Sequence, residues 1–375
     1  MSTHHDAFEI FNKHPTLREK LVGAYNAVTE TLPFIARVAV TLYDPETMVL
    51  RSYLHSSCDD NPLVHYQALL DDAPSLKEIM KQGHPRVINN MLTFEHKNQE
   101  HLRRIGRQGF AASYTLPMFN NGEFFGFIFF NSFEKDVFTE KVLRELDSYG
   151  HIISLMVLNE LSMLNVLPAA IKPTDNITRT RNPETGSHLD RMSRYSRIIA
   201  KEMAEKHELD DGYIQHVFMF APLHDIGKIA IPDNILLKPG NLDEEELKIM
   251  KTHSRTGREM IDNIIDNFGL SNVDNISILR NIAEYHHEAL NGTGYPDGRA
   301  GEDIPLEARI VAVADVFDAL TSPRPYKEAW SNDIAFIMLR KISGEKLDHE
   351  CVEALIAHRS EIEEIQELFK EDVYG

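Results

Sequence analysis

Residues 217–232 read VFMFAPLHDIGKIAIP, a nearly unbroken apolar run into which His224, Asp225 and Lys228 are set. The apolar flanks predict a buried helix. Burying an unpaired imidazole and carboxylate costs several kcal/mol unless something such as a metal compensates. Lys228 follows His224 by four residues, so on a helix the two share a face, and the ammonium could neutralise a phosphate beside a metal.

Working outward, further imidazoles and carboxylates recur in short motifs. Glu184 and His188 lie in ETGSH, His253 in THSRTG, His286 and His287 in YHHE, and Asp315 in AVADVFDAL. Any one of the eighteen histidines means little, because a lone buried histidine is more often satisfied by a carbonyl than by a metal. Adjacent pairs mean more: consecutive helical residues point about 100° apart, so His224-Asp225 or His286-His287 can serve two metals or two sides of one. Imidazole plus carboxylate suits Fe, Mn or Zn, and the lack of cysteine argues against a structural zinc site. After His188, the residues Leu189, Met192, Ile199 and Met203 form a stripe that turns the start of that helix inward. His207, His216, His349 and His358 read as surface residues on polar helical faces.

The bulk properties bound the rest. A chain of 375 residues predicts two domains. A formal net charge of -19 excludes broad DNA or RNA binding, which needs a basic surface, but leaves room for a small anionic ligand at a metal-bearing cleft. Two cysteines, Cys58 and Cys351, build no disulfide framework. The start has no basic segment leading into an apolar run, and no long apolar run follows, so a cytoplasmic protein without membrane contact is expected.

The first half has a different texture. FIARVAVTLY and MVLRSYLH flank Asp44-Pro45-Glu46-Thr47, and the β-rich runs Ser113 to Phe119 and Glu123 to Asn131 flank Asn120-Asn121-Gly122, so two hairpins are predicted. Helical or loop segments, including Ser75 to Lys81 and Asn98 to Arg107, lie between them. This is an α+β domain with an antiparallel sheet and flanking helices. From Phe138 a long helix carries Leu146, Tyr149, Ile153, Met156 and Met163 at alternating spacings of three and four. That stripe fits either a helix packed on its own domain or a parallel pair in a homodimer, a seam that Glu160 would interrupt. Helices then dominate to the C-terminus, with breaks near Pro173, Pro239-Gly240 and Gly292 to Pro305.

From Glu184 to Trp330 the chain resembles the HD-GYP family of cyclic dinucleotide phosphodiesterases, a branch of the HD metal phosphohydrolases. The resemblance is carried, in the family's order, by HDIGKIAIPDNILLKPG, by HHEALNGTGYP with Gly294-Tyr295-Pro296, by IPLEARIVAVADVFDAL and by RPYK. It implies an all-α domain in which His188, His224, Asp225, His253, His286, His287 and Asp315 are metal ligands, with Glu184 matching the glutamate of three-metal members. It also implies two or three divalent ions, iron or alternatively manganese. On the same resemblance, water would attack phosphorus, Asp225 and Lys228 would serve as catalytic residues, and cyclic di-GMP would yield pGpG first and GMP as the final product. Substrate contacts are expected from Tyr295, Asp318, Arg324 and Lys327. Asn291 stands where the family often has Asp, which bears on substrate preference. The first half resembles a GAF domain through its order of elements and runs such as GHPRVINN and LPMFNNGEFFGFIFFNS, implying an unidentified small-molecule ligand. The expected division is a sensor over 1–137, a linker helix over 138–172 and the metal phosphohydrolase over 173–375. The rival readings are a hydrolase of cyclic GMP-AMP and a non-catalytic receptor of cyclic dinucleotides.

Overall fold

A computed structural model describes residues 9, 13, 15–57, 65–91, 109–178, 186–323 and 329–370, with backbone alone over 165–178. The segment Asn98 to Arg107, Cys58, Glu184, Arg324 and Lys327 therefore lie outside the described residues. The chain divides into two compact units, Met1–Ser162 with Asn272–Asp274, and Met163–Ser271 with Asn275–Gly375. The dividing line falls inside the long helix predicted from the sequence.

The first unit is α+β. Strands β1 (Ile35–Asp44), β2 (Val49–Ser57), β3 (Gln67–Leu69), β4 (Arg86–Ile88), β5 (Ala112–Asn120) and β6 (Glu123–Ser132) form one sheet in the order β3-β2-β1-β6-β5-β4. All its pairings are antiparallel. Both predicted hairpins are present. In the second, Asn120 pairs with Glu123, and Asn121 and Gly122 both take positive φ (49° and 86°). That is the geometry of a two-residue turn whose twist matches the strands, which is why Asn-Gly stands there.

Helix α1 (Leu17–Thr31) starts on a capping box in which Thr16 and Glu19 bond each other's backbone N–H. It packs Leu17 and Leu21 on one face of the sheet, against Val38, Val40, Leu116, Ile128 and Phe130. Helix α2 (Pro74–Gln82) begins with proline, ends at Gly83 in the left-handed region, and sends Leu76 and Ile79 to the other face, against Ala39, Phe127 and Phe129.

The long helix α3 runs over Glu140–Thr178. Leu146, Ile153 and Val157 belong to the core that contains α1, and Tyr149 and Met156 pack against it. The stripe that suggested a pairing seam is thus used within the helix's own domain. Glu160 lies on the same buried stripe, and its Oε1 has no hydrogen-bond partner. Burial pushes its carboxyl up from 4.5 to about 7. The folded state therefore holds this proton more tightly than the unfolded chain. The position costs nothing well below pH 4.5; its cost grows as pH rises from about 4.5 to about 7 and then levels off. Glu160→Gln should stabilise the protein by about 2 kcal/mol at pH 8, after allowing for partial solvent access, and by much less at pH 5. Urea melts at the two pH values measure this; an equal effect at both contradicts it.

The second unit is helical. Its helices are α4 (Gly186–Glu202), α5 (Asp211–Phe220), α6 (Asp233–Leu236), α7 (Glu244–Lys251), α8 (His253–Phe268), α9 (Ile276–Tyr285), α10 (Leu306–Thr321), α11 (Asn332–Ile342), α12 (His349–Ala357) and α13 (Arg359–Leu368). Helix α4 packs on α5, α10 and α12, and α9 packs on α8 and α10. Tyr195, Ile199, Phe317, Leu279 and Leu355 fill the space between them. Among the described residues no helix is long and apolar enough to cross a membrane.

Three sequence expectations fail here. The chain does not break near Pro173, because α3 continues through that residue to Thr178. VFMFAPLHDIGKIAIP is not one helix: α5 stops at Phe220, and short 3-10 turns over Ala221–Leu223 and Ile226–Ala230 carry the chain past His224 and Asp225. Pro222 has no N–H for the next helical bond, which accounts for the stop. His216 is not a surface residue; it is buried and stacks on Phe220, with ring centroids 5.4 Å apart.

Candidate metal centre

The interrupted helix matters because it aims neighbouring side chains differently from a continuous one. Asp225 sits between the two 3-10 turns, and the second turn crosses α8 at glycine on glycine. A Cβ on Gly227 would lie 1.9 Å from the carbonyl oxygen of His253 and 2.6 Å from the Gly257 nitrogen. This close approach brings His253 Nε2 to 3.1 Å from Asp225 Oδ1, while His224 Nε2 lies 3.1 Å from Asp225 Oδ2. His286, at the end of α9, places Nε2 at 3.6 Å from Asp225 Oδ1. Gly227→Ala should push α8 away and open the pairing of Asp225 with His253. The expected loss is about 3 kcal/mol in a urea melt, with reduced bound metal. Parent-like stability and metal content would show that the crossing is not needed.

Two groups of donor atoms result, each with all its atoms within 4.8 Å of one another: Asp225, His253, His286 and His287, and then His188, His224 and Asp315. Seven of the residues that the resemblance implies as metal ligands fall in these groups, from five different parts of the helical unit, while Glu184 lies outside the described residues. The ring centroids of His286 and His287 lie 4.0 Å apart, and those of His224 and His286 5.1 Å apart.

Electrostatics suits a cation. Burial would raise the Asp225 carboxyl, but Lys228 and then His224 outweigh it and hold it well below the usual carboxylate range. Burial lowers His286; burial and then His286 lower His287 further, so both imidazoles are neutral, the form that ligates. The buried Nε2 atoms of His253 and His286 and Oδ1 of Asp225 make no hydrogen bond of good geometry. A metal ion would satisfy them, and a nitrogen-and-oxygen donor set without sulfur fits iron, manganese or zinc. The residues present therefore fit the implied group.

Around the donors, Lys228 Nζ lies 2.6 Å from Asp225 Oδ2 and is partly exposed. Tyr295 covers the cluster: its ring is 4.7 Å from that of His287 and 6.1 Å from that of His253. The loop bearing Tyr295 is tied down by Glu288, which the sequence reading missed. Glu288 Oε1 accepts from the backbone N–H of Asp297 (2.8 Å) and Gly298 (3.1 Å), and Oε2 from Arg299 (3.0 Å). A Cβ on Gly294 would come within 2.4 Å of the Ala289 nitrogen, so only glycine lets the loop fold back this far. Asn291 is exposed, and its Oδ1 accepts from the N–H and hydroxyl of Thr293, a turn role that aspartate could also fill.

Asp318 is not where the resemblance placed it. Instead of facing substrate it is buried, with Arg191, His188 and Ser322 around its carboxylate. Burial pushes its pKa up, but Arg191 and His188 outweigh this and bring it down to about 2. The signal available in the sequence was its position three residues after Asp315, which on a helix puts it near that ligand.

Residues 181–351 match the HD domain family model. Curated relatives resemble the same half of the chain. The cyclic di-GMP phosphodiesterase response regulator RpfG of Xanthomonas campestris pv. campestris is 47% identical over 185 residues, covering 49% of this chain and 46% of that protein. The 3'3'-cGAMP-specific phosphodiesterase 2 of Vibrio cholerae is 37% identical over 186 residues, covering 50% of this chain and 34% of that protein. The chain thus spans about half or less of these relatives' length. Among solved structures, the GAF domain of an Acinetobacter phosphoenolpyruvate-protein phosphotransferase is similar, with a TM-score of 0.34 and 12% identity over 42% of this chain and 92% of that one.

Proposed function

We propose that the HD domain is a metal-dependent phosphodiesterase that hydrolyses cyclic di-GMP to pGpG, GMP or both. The observation carrying this is the convergence of His188, His224, Asp225, His253, His286, His287 and Asp315 in two adjoining donor groups. The names of the curated relatives support the substrate class. Two or three iron or manganese ions would be held by these residues, with Glu184 supplying the further carboxylate in the three-ion case. Divalent ions in such a site lower the pKa of water and polarise phosphoryl oxygens.

The chain's own residues do the rest. Asp225 offers an oxygen to each side: Oδ1 toward His253 and Oδ2 toward His224. Lys228 places an ammonium where it offsets the charge that gathers on phosphoryl oxygens during attack. Tyr295 forms an aromatic wall beside the cluster on which a guanine can stack. Arg324 and Lys327 are assigned to the substrate's phosphates or guanine edge. The first unit is assigned as a GAF-like sensor of a small molecule. The homodimer expected from the sequence now rests on the outward face of α3, where Leu155 is 65% exposed. A monomer at micromolar concentration in light scattering would remove it.

A hydrolase of cyclic GMP-AMP is the second reading, favoured by the likeness to the Vibrio cholerae enzyme. Turnover of the two nucleotides by anaerobically prepared, iron-loaded protein separates them: faster cleavage of cyclic di-GMP is expected, and a reversed preference would transfer the assignment. Binding without turnover of either would leave a receptor.

A further inference from the structure

Four of the cluster's five histidines are oriented in two different ways. His224, His253 and His286 each direct Nδ1 at a carbonyl of the preceding turn: Ala221 at 2.9 Å, Met250 at 2.7 Å and Ile282 at 2.8 Å. Such bonds form whenever the local backbone forms, and each puts the proton on Nδ1 and turns Nε2 toward the cluster. His188 is oriented by a side chain instead. Its Nδ1 lies 2.8 Å from Oδ2 of Asp318, 130 residues along the chain and on another helix.

Asp318 is itself held tightly. Arg191, one turn after His188 on α4, donates from Nε to Oδ1 at 2.6 Å and from Nη2 to Oδ2 at 2.9 Å. The Ser322 hydroxyl donates to Oδ2 at 2.9 Å and accepts from Arg191 Nη2 at 2.7 Å, and Arg191 Nη1 reaches the Phe369 carbonyl at 2.8 Å. Arg191 and Asp318 are both almost fully buried. A buried ion pair alone is weak evidence for stability, because apolar residues of similar volume often serve as well. What an apolar pair cannot do is accept a hydrogen bond from an imidazole N–H and so fix its tautomer and ring plane.

We propose that Asp318, locked by Arg191, is a positioning residue for His188, so that the donor group His188, His224 and Asp315 depends on it and the group Asp225, His253, His286 and His287 does not. This rests on the metal-site reading above. Partners of this kind to a ligating imidazole typically account for a 10–100-fold change in metal affinity. The effect should be confined to one group, because His253 and His286 are oriented by their own turns.

The test is titration of the metal-stripped full chain with Mn(II) alone, following free ion by electron paramagnetic resonance. The parent should bind at least two ions per chain. Asp318→Asn should weaken one ion about 10–100-fold and leave the other within about threefold, while lowering the metal-free melting temperature. Because this change leaves the Arg191 guanidinium buried without its carboxylate, the charge-free pair Arg191→Gln with Asp318→Asn is measured alongside, and the same pattern is expected. Parent affinity for every ion in a folded variant, or equal weakening of all ions, overturns the proposal. Failure of both variants to fold overturns it too, since the pair would then be a structural tie between α4 and α10. A parent that binds no Mn(II) removes the metal-site reading itself, a result distinct from all of these.

Discussion

Replacing His224 and Asp225 together by alanine should abolish hydrolysis and strip metal from the protein. Each of the two donor groups loses a member, His224 from one and Asp225 from the other, and Asp225 is the residue that His224, His253 and His286 all approach. No cysteine lies among the grouped donors to substitute. A loss of at least about a thousandfold in turnover is expected, on the order of 4 kcal/mol of transition-state stabilisation. Elemental analysis should show less than half the parent's metal, with the far-ultraviolet dichroism of a folded helical domain retained. Turnover and metal content at parent levels would contradict the assignment of these residues.

Glu288→Ala should give the next largest effect by a different route. The carboxylate accepts three backbone N–H groups of the Asp297–Arg299 loop, and hydrogen bonds to a charged acceptor contribute roughly 1.5 to 3 kcal/mol each. Without it the loop loses its anchor and Tyr295 its place over His287. A fall of about 100-fold in kcat/KM is expected, equivalent to about 2.7 kcal/mol, with metal content unchanged. Glu288→Gln, which keeps one acceptor oxygen, should fall between the two. Loss of metal in parallel with activity would show that Glu288 supports the donors and not the loop.

Much of this was legible in the sequence because it depended on local chemistry. Asn120-Asn121-Gly122 announced a tight hairpin, and the structure forms it with positive φ at residues 121 and 122. The adjacent pairs His224-Asp225 and His286-His287 pointed to a metal centre, because two such side chains together are hard to explain as ordinary core, and the structure gathers all four into the two donor groups. What was not legible depended on distant partners. The stripe on α3 looked the same whether it faced a second copy or its own sheet, and only the fold showed Leu146 and Ile153 in the sheet's core. His216 sat in an apparently polar pattern, yet Phe220 and the packing of α5 enclose it. Gly227 and Gly257 carry no chemistry of their own; their meaning lies in a backbone crossing between segments thirty residues apart. Asp318 had a motif to mark it, but its direction, toward His188 and into the buried interior, follows from the pairing of α4 with α10.

The most direct test of the account follows cyclic di-GMP by chromatography through three states of the full chain: as reconstituted with iron or manganese, after removal of metal by a chelator, and after the metal is returned. Conversion to pGpG or GMP is predicted in the first and third states and not in the second. Hydrolysis that persists undiminished in verified metal-free protein would contradict the central claim, as would intact nucleotide in the presence of fully metal-loaded protein.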